Sequence, residues 1–224
     1  MKIKGAFAEF RSELGVSVPN LIIFQFNPET LKHTWTQSTP VEGGHPLAVE
    51  GPPGEAFSFT LSMDANDALA QASVPPSPAY TDAAANGIYS RLSALEMLMF
   101  PVGADSDLAM PPGLPGGAGE QREVPALLVP TVLFVWGEGR IVPVRVLGLT
   151  ITEKLFDEAL NPTQADAIIE LQVLTPAELE ACTGPLKEIA ATAYHYTQGR
   201  RELNAIANLN NAVGTVSLPP ALGI

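Results

Sequence analysis

"VPVRVLGLTITEKLFDEALNPTQADAIIELQVL", residues 142–174, decides the fold. Its first run, 142–156, sets Arg145, Leu147, Leu149 and Ile151 on one face and Val144, Val146, Gly148, Thr150 and Thr152 on the other. Its last run, 165–174, aligns Ala165, Ala167, Ile169, Leu171 and Val173. A period of two belongs to strands, whose side chains alternate between faces. Residues 157–164 read as the loop between them, so the stretch is a β-hairpin and the sheet antiparallel. Thr150 and Thr152 suit an exposed or inter-subunit face, and the leucine set is therefore expected inward.

Working outward, five more strands appear. Residues 3–10 alternate, and "AFSFTLSMD" (56–64) puts Phe57, Phe59, Leu61 and Met63 on one face. "PTVLFVWG" (130–137) is apolar on both faces, the mark of a central strand. "LIIFQFNPETLKHTWTQ" (21–37) is strand-like on both sides of Asn27-Pro28-Glu29. Proline fixes φ and turns the preceding residue away from helix, so this is a fixed corner. The residues alone leave open whether it is a site or a piece of framework.

Between 65 and 130 the chain is an insertion rich in proline, holding one helix near 82–99 with Asp82 as N-cap. Ile88, Leu92, Leu95 and Met99 form its stripe. Residues 102–123 are expected to be mobile or ordered by a partner. From Thr175 a helical extension begins: Thr175 as N-cap, Pro176 at N1 and Glu178 at N3 make a capping box. Its later stripe runs through Leu186, Ile189, Ala193 and Tyr196, then Leu203, Ile206 and Leu209. Gly184-Pro185 and Gly199 are expected to break it into pieces that dock on something other than their own barrel. The domain division is thus 1–174 and 175–224.

Lys+Arg 12 against Asp+Glu 24 gives a net charge of −12. Residues 1–175 hold 20 of the acids and 9 of the bases. Such a body is unsuited to the nucleic-acid backbone or to anionic membranes, both of which are held by clustered Lys and Arg. The single Cys182 forms no internal disulfide. No apolar run is long enough to span a membrane, and "MKIKGAFAEF" lacks a secretory h-region. A protein made and kept in the cytoplasm is expected.

Chemistry is sparse. The 3 histidines, His33, His45 and His195, lack partners at metal-ligand spacing. Asp64, Asn66 and Asp67 lack the glycine and distal glutamate of a calcium loop. Glu9, Glu29, Glu153 and Glu170 read as solvent-facing strand residues, and "GGAGE" (116–120) lacks the ending of a phosphate loop. Cys182 has no neighbouring base to activate it. Trp35 and Trp136 read as core or interface anchors. No enzyme, cofactor or metal is expected.

In order and spacing over residues 2–174, the chain resembles the tube-domain proteins of contractile injection systems. The likeness lies in "KIKGAFAEF", "LIIFQFNPETLKHTW", "FSFTLSMDA", "SRLSALEMLMFP", "PTVLFVWG" and the hairpin. It implies a tail-tube-like antiparallel β-barrel with one packed helix, serving as a non-enzymatic adaptor at the tube–baseplate junction. It also implies that Asn27-Pro28-Glu29 is a framework corner between barrel strands, the functional rival being that Glu29 and Thr30 touch a neighbouring subunit. Implied partners are copies of itself in a six-fold ring, the inner tube, the spike and other baseplate proteins. An inner-tube or tube-terminator subunit is the alternative within the same particle. Many members end in a LysM module. "LKEIAATAYHYTQGRRELNAIANLN" resembles its two helices, while the strand and Gly-Asp-Thr turn before them are absent. Glycan binding through a degenerate module is the alternative of another class.

Overall fold

The computed structural model describes residues 3–13, 16–39, 45, 47–70, 77–101, 129–182 and 187–213. Seven strands form one antiparallel sheet: β1 (Ala6–Glu13), β2 (Val16–Ile23), β3 (Leu31–Thr36), β4 (Gly54–Asp64), β5 (Val132–Val135), β6 (Ile141–Phe156) and β7 (Pro162–Val173). Their order is β2-β1-β5-β6-β7-β4-β3. β1 and β2 form a long pair, from Ala6↔Ile23 to Glu13↔Val16.

The sheet is strongly curled. Four strand steps separate β1 from β4. Steps of about 4.8 Å would put them roughly 19 Å apart in a flat sheet. Yet the rings of Phe7 on β1 and Phe59 on β4 lie 6.2 Å apart. Phe24 and Phe134 join them, so the aromatic residues of four segments meet across the concave face. The expected closed barrel is corrected here: β2 and β3 are edges, and no ladder joins them among the described residues.

The hairpin is present, but its faces differ from the expectation. Val142, Val144 and Val146 are buried, whereas Leu147 is exposed. A bulge between Val146 and Gly148 inserts Leu147 as an extra residue. Such an insertion reverses the parity of everything after it. Leu149 and Ile151 therefore turn back toward the core. On β7, the alternating set from Ala165 to Val173 is buried throughout, as is the Phe57-to-Met63 set on β4.

Helices plug the roll: α1 (Ala65–Ala70), α2 (Pro78–Asn86), α3 (Tyr89–Glu96) and a 3-10 turn (Met97–Met99). The single helix expected near 82–99 is thus two. Gly87 interrupts it at φ +60°, where a side chain would run into the Pro162 carbonyl. Ser77, not Asp82, is the N-cap, accepting from Tyr80 N. Asp82 instead joins the two helices, accepting from Ser90 and from Asn86. Ile88, Leu92, Leu95 and Leu98 are buried; Met99 is replaced by Leu98 because the turn tightens.

The extension is α4 (Pro176–Ala181) and α5 (Lys187–Val213). α4 has the capping box on Thr175 and Glu178. α5 is one helix of 27 residues, continuous through Gly199. Its first half packs on the opposite face of the sheet: Leu133 and Leu174 cluster with Leu179, Ala190 and Ala193. The expectation that the extension docks away from its own sheet is corrected for this half. Ala190 and Ala193 are small enough to let the helix approach the sheet closely. Residues 102–128, which include the loop expected to be mobile, lie outside the described residues.

Candidate functional site: the strand corner and the buried glutamate

The corner is built by side-chain amides that stand in for backbone. Leaving β2, Phe24 N donates to Gly5 O at 2.9 Å. Beyond it Asn27 takes over: its Oδ1 accepts from Gly5 N and its Nδ2 donates to Ile3 O, both at 2.9 Å. A carboxamide carries the same donor and acceptor as a peptide, so Asn27 adds a rung beyond the strand. Buried Gln25 does likewise on the other side. Its Oε1 accepts from Asp64 N at 3.0 Å and its Nε2 donates to Asp64 O at 2.7 Å. Lys4 Nζ donates to Gln25 O at 3.0 Å. The gap between β2 and the end of β4 is thereby stitched where no ladder closes it.

Pro28 is half-buried, while Glu29 and Thr30 are exposed. Asn27 and Pro28 therefore serve the framework, and Glu29 and Thr30 are the residues the corner presents outward.

A second cluster lies where β3, β4 and α5 meet. Glu55 is buried, and its Oε1 accepts from His33 Nε2 at 2.8 Å and from Arg201 on α5. The Arg201 guanidinium also covers the Trp35 ring at 4.8 Å. Arg140, on the β5–β6 turn, lies 5.2 Å from the Phe57 ring, on which His33 stacks at 4.4 Å. Burial lowers the His33 pKa below its ordinary value, against the opposing pull of the Glu55 hydrogen bond. His33 is thus neutral at pH 7 and donates through Nε2–H, leaving Arg201 to balance the Glu55 charge. Burial lowers the Arg140 pKa and raises that of Tyr194.

Toward its C-terminal end α5 leaves the sheet. Thr197 is buried, its hydroxyl donating to Ile141 O at 2.6 Å and accepting from Ile141 N at 3.0 Å. Tyr196 Oη donates to Glu138 O at 2.9 Å. Ile189 and Tyr196 flank the docked face, and Leu203, Ile206 and Leu209 are exposed. Leu186 lies outside the described residues. Of the residues singled out from sequence, the fold brings none of the corner set together with the helix set.

Gln25, Glu55, Arg140 and Arg201 were missed. Gln25 carried a signal, a lone amide between two phenylalanines in an apolar strand; such a residue is buried only with a partner. Glu55 and Arg201 are far apart in sequence and carried none. Among the described residues, no group of three or more His, Cys, Asp or Glu side chains is placed to hold a metal ion. Among the same residues, no buried side-chain nitrogen or oxygen lacks a hydrogen-bond partner. No helix of the described residues is long and apolar enough to cross a membrane. The chain matches no protein-family model and no curated protein sequence.

Proposed function

We propose that the chain is a non-enzymatic structural adaptor at the tube–baseplate junction of a contractile injection system. It binds copies of itself in a ring, six-fold by the resemblance, together with inner tube, spike and other baseplate proteins. The observation that carries this reading is the edge strand β2. Leu21 and Ile23 on it are 58% and 54% exposed, with Phe26 exposed just beyond. An apolar edge is an aggregation hazard unless a partner covers it. The polar side chains gathered at the two clusters are engaged in holding the fold: Gln25 and Asn27 at the corner, Glu55 and His33 beneath α5.

The hairpin adds a second contact. Leu155, Phe156 and Leu160 at its tip are exposed, and Leu155 and Leu160 adopt positive φ, which disfavours branched side chains. Apolar residues held in that conformation at a loop tip suit insertion into a partner. The same features serve an inner-tube or terminator subunit equally. The glycan-binding alternative gains no such support, because α5 is one continuous helix where a LysM module has two.

The experiment is imaging of the purified particle with this chain labelled. Label in a ring at the tube–baseplate junction supports the adaptor. Label along the tube length favours the tube subunit, and no label on any particle sinks both.

A further inference from the structure

We infer that α5 pairs antiparallel with α5 of a second copy, through a face that the helix does not use against its own sheet. The inference is independent of the injection-system reading.

α5 has two faces. At about 100° per residue, Ala190, Ala193, Thr197 and Arg201 share one side, and these are the residues held on the sheet and Glu55. The other side repeats every seven residues: Ile189, Tyr196 and Leu203, with Thr192, Gly199 and Ile206 three residues after each. The first set is apolar throughout and the second ends in Ile206, the spacing of a short coiled-coil seam of little over two heptads. Leu203 and Ile206 are 60% and 56% exposed, and Ile189 and Tyr196 are nearly half exposed. A 3.5-residue repeat serves a second helix; a surface meant for water does not need one.

Gly199 supplies an independent observation. Glycine is the poorest helix former short of proline, yet it sits within this helix. A Cβ there would meet nothing within 4 Å among the described residues, so none of them requires a glycine here. A close-approaching partner does require it. In an antiparallel pair centred level with Arg201, each Leu203 enters the space over the partner copy's Gly199. Each Tyr196 then faces the partner copy's Ile206, large against smaller in every central layer. A parallel pair would set glycine on glycine and leave a hole.

Charge selects the same arrangement. Residues 1–175 carry 20 acids against 9 bases, and this acidic body is attached along the first half of α5. Antiparallel pairing puts the two bodies at opposite ends of the helix pair, where they repel least. The helix dipoles also oppose each other favourably.

The test uses the full-length protein. Sedimentation across a concentration series should show a monomer–dimer equilibrium. Leu203→Glu should abolish the dimer while leaving helix content unchanged, and its thermal midpoint should equal that of the parent at concentrations where the parent is monomeric, since Leu203 is 60% exposed and belongs to neither core cluster of the described residues. Gly199→Leu should weaken association at least ~10-fold by overpacking the seam, while the monomer's midpoint holds or rises. In a Cys182→Ser background, a mixture of Gly199→Cys and Leu203→Cys proteins should cross-link to each other on mild oxidation. A protein that stays monomeric at every concentration, its seam covered by its own chain or by solvent, overturns the inference. So does Leu203→Cys that cross-links only to itself, which marks a parallel pair, and so does Gly199→Leu that strengthens association.

Discussion

Gln25 and Asp64 pair as two strand residues would, except that one partner is a side chain. The Gln25 amide takes the Asp64 N–H at 3.0 Å and gives to the Asp64 C=O at 2.7 Å. β2 is one edge of the strand order, and this amide ties the segment that follows it to the end of β4, the strand next to the other edge. Gln25→Ala leaves both Asp64 backbone groups without that partner and should cost about 2 kcal/mol. Asn27→Ala should cost about 1 kcal/mol for the same reason at a more exposed site. Glu29→Ala and Thr30→Ala should stay within about 0.5 kcal/mol. Urea unfolding of the four variants checks this; a neutral Gln25→Ala would remove the stitch from the explanation of the fold.

Gly5 should tolerate no side chain. A Cβ there would lie 2.7 Å from the Phe24 ring and 2.8 Å from the Trp136 ring. Both rings belong to the packed aromatic group, so neither retreats cheaply. Gly5→Ala should destabilise by about 1–3 kcal/mol, read by thermal or denaturant unfolding. A midpoint equal to the parent's would mean that the aromatic group is loosely packed.

Acid should loosen the β3–β4 edge through His33. Its folded pKa lies below the ordinary 6.5 because burial penalises the cation. In the window between the two values the unfolded chain binds more protons, so stability falls as pH drops and is fully present above it. The carboxyls of Asp82, Asp157 and Asp166 are held low by their hydrogen bonds and titrate in a more acidic range. His33→Gln keeps an Nε2 donor toward Glu55 and removes the titration. Its melting midpoint should vary less with pH between about pH 7 and pH 5 than the parent's. Parallel slopes for the two proteins would exclude His33 as the titrating group.

Arg201 and Glu55 should be strongly coupled. Removing the arginine leaves a buried carboxylate with neutral His33 and more distant Arg140, so Arg201→Met should cost about 2–3 kcal/mol. The double variant Glu55→Gln with Arg201→Met should recover part of that loss, because no charge is then left buried. Denaturant unfolding of the double-mutant cycle gives the coupling. Additive losses would mean that α5 is held by Thr197 and the alanine face alone.

The strands were legible where one face is buried without interruption. On β4 and β7 the period of two runs unbroken, and Phe57 to Met63 and Ala165 to Val173 lie where the alternation puts them. On β6 it failed at Leu147, because a bulge reverses parity and leaves no mark in hydrophobicity. The helix from 82 to 99 was misjudged at Gly87, which has a positive φ and leaves no room for a side chain against the Pro162 carbonyl of β7, a long-range neighbour that local sequence does not record. The opposite error was made at Gly199, taken as a break although packing of Ala190 to Arg201 carries the helix through. Closure of the sheet depends on which strands meet, a long-range choice that periodicity does not record. Asn27-Pro28 was legible as a framework corner; the amide rungs that make it one became visible only with Gly5 and Asp64 in place.

As the proposed adaptor, the chain would join the tube to the baseplate through its apolar β2 edge. Particles from cells lacking the chain should be imaged after complementation with the parent or with Leu21→Lys, Ile23→Lys. Both side chains are exposed, so the double variant should keep the parent's melting midpoint. The expected result is that the parent restores tubes seated on baseplates and the folded variant does not. Intact particles with the variant built in, or normal particles without the chain at all, would contradict it.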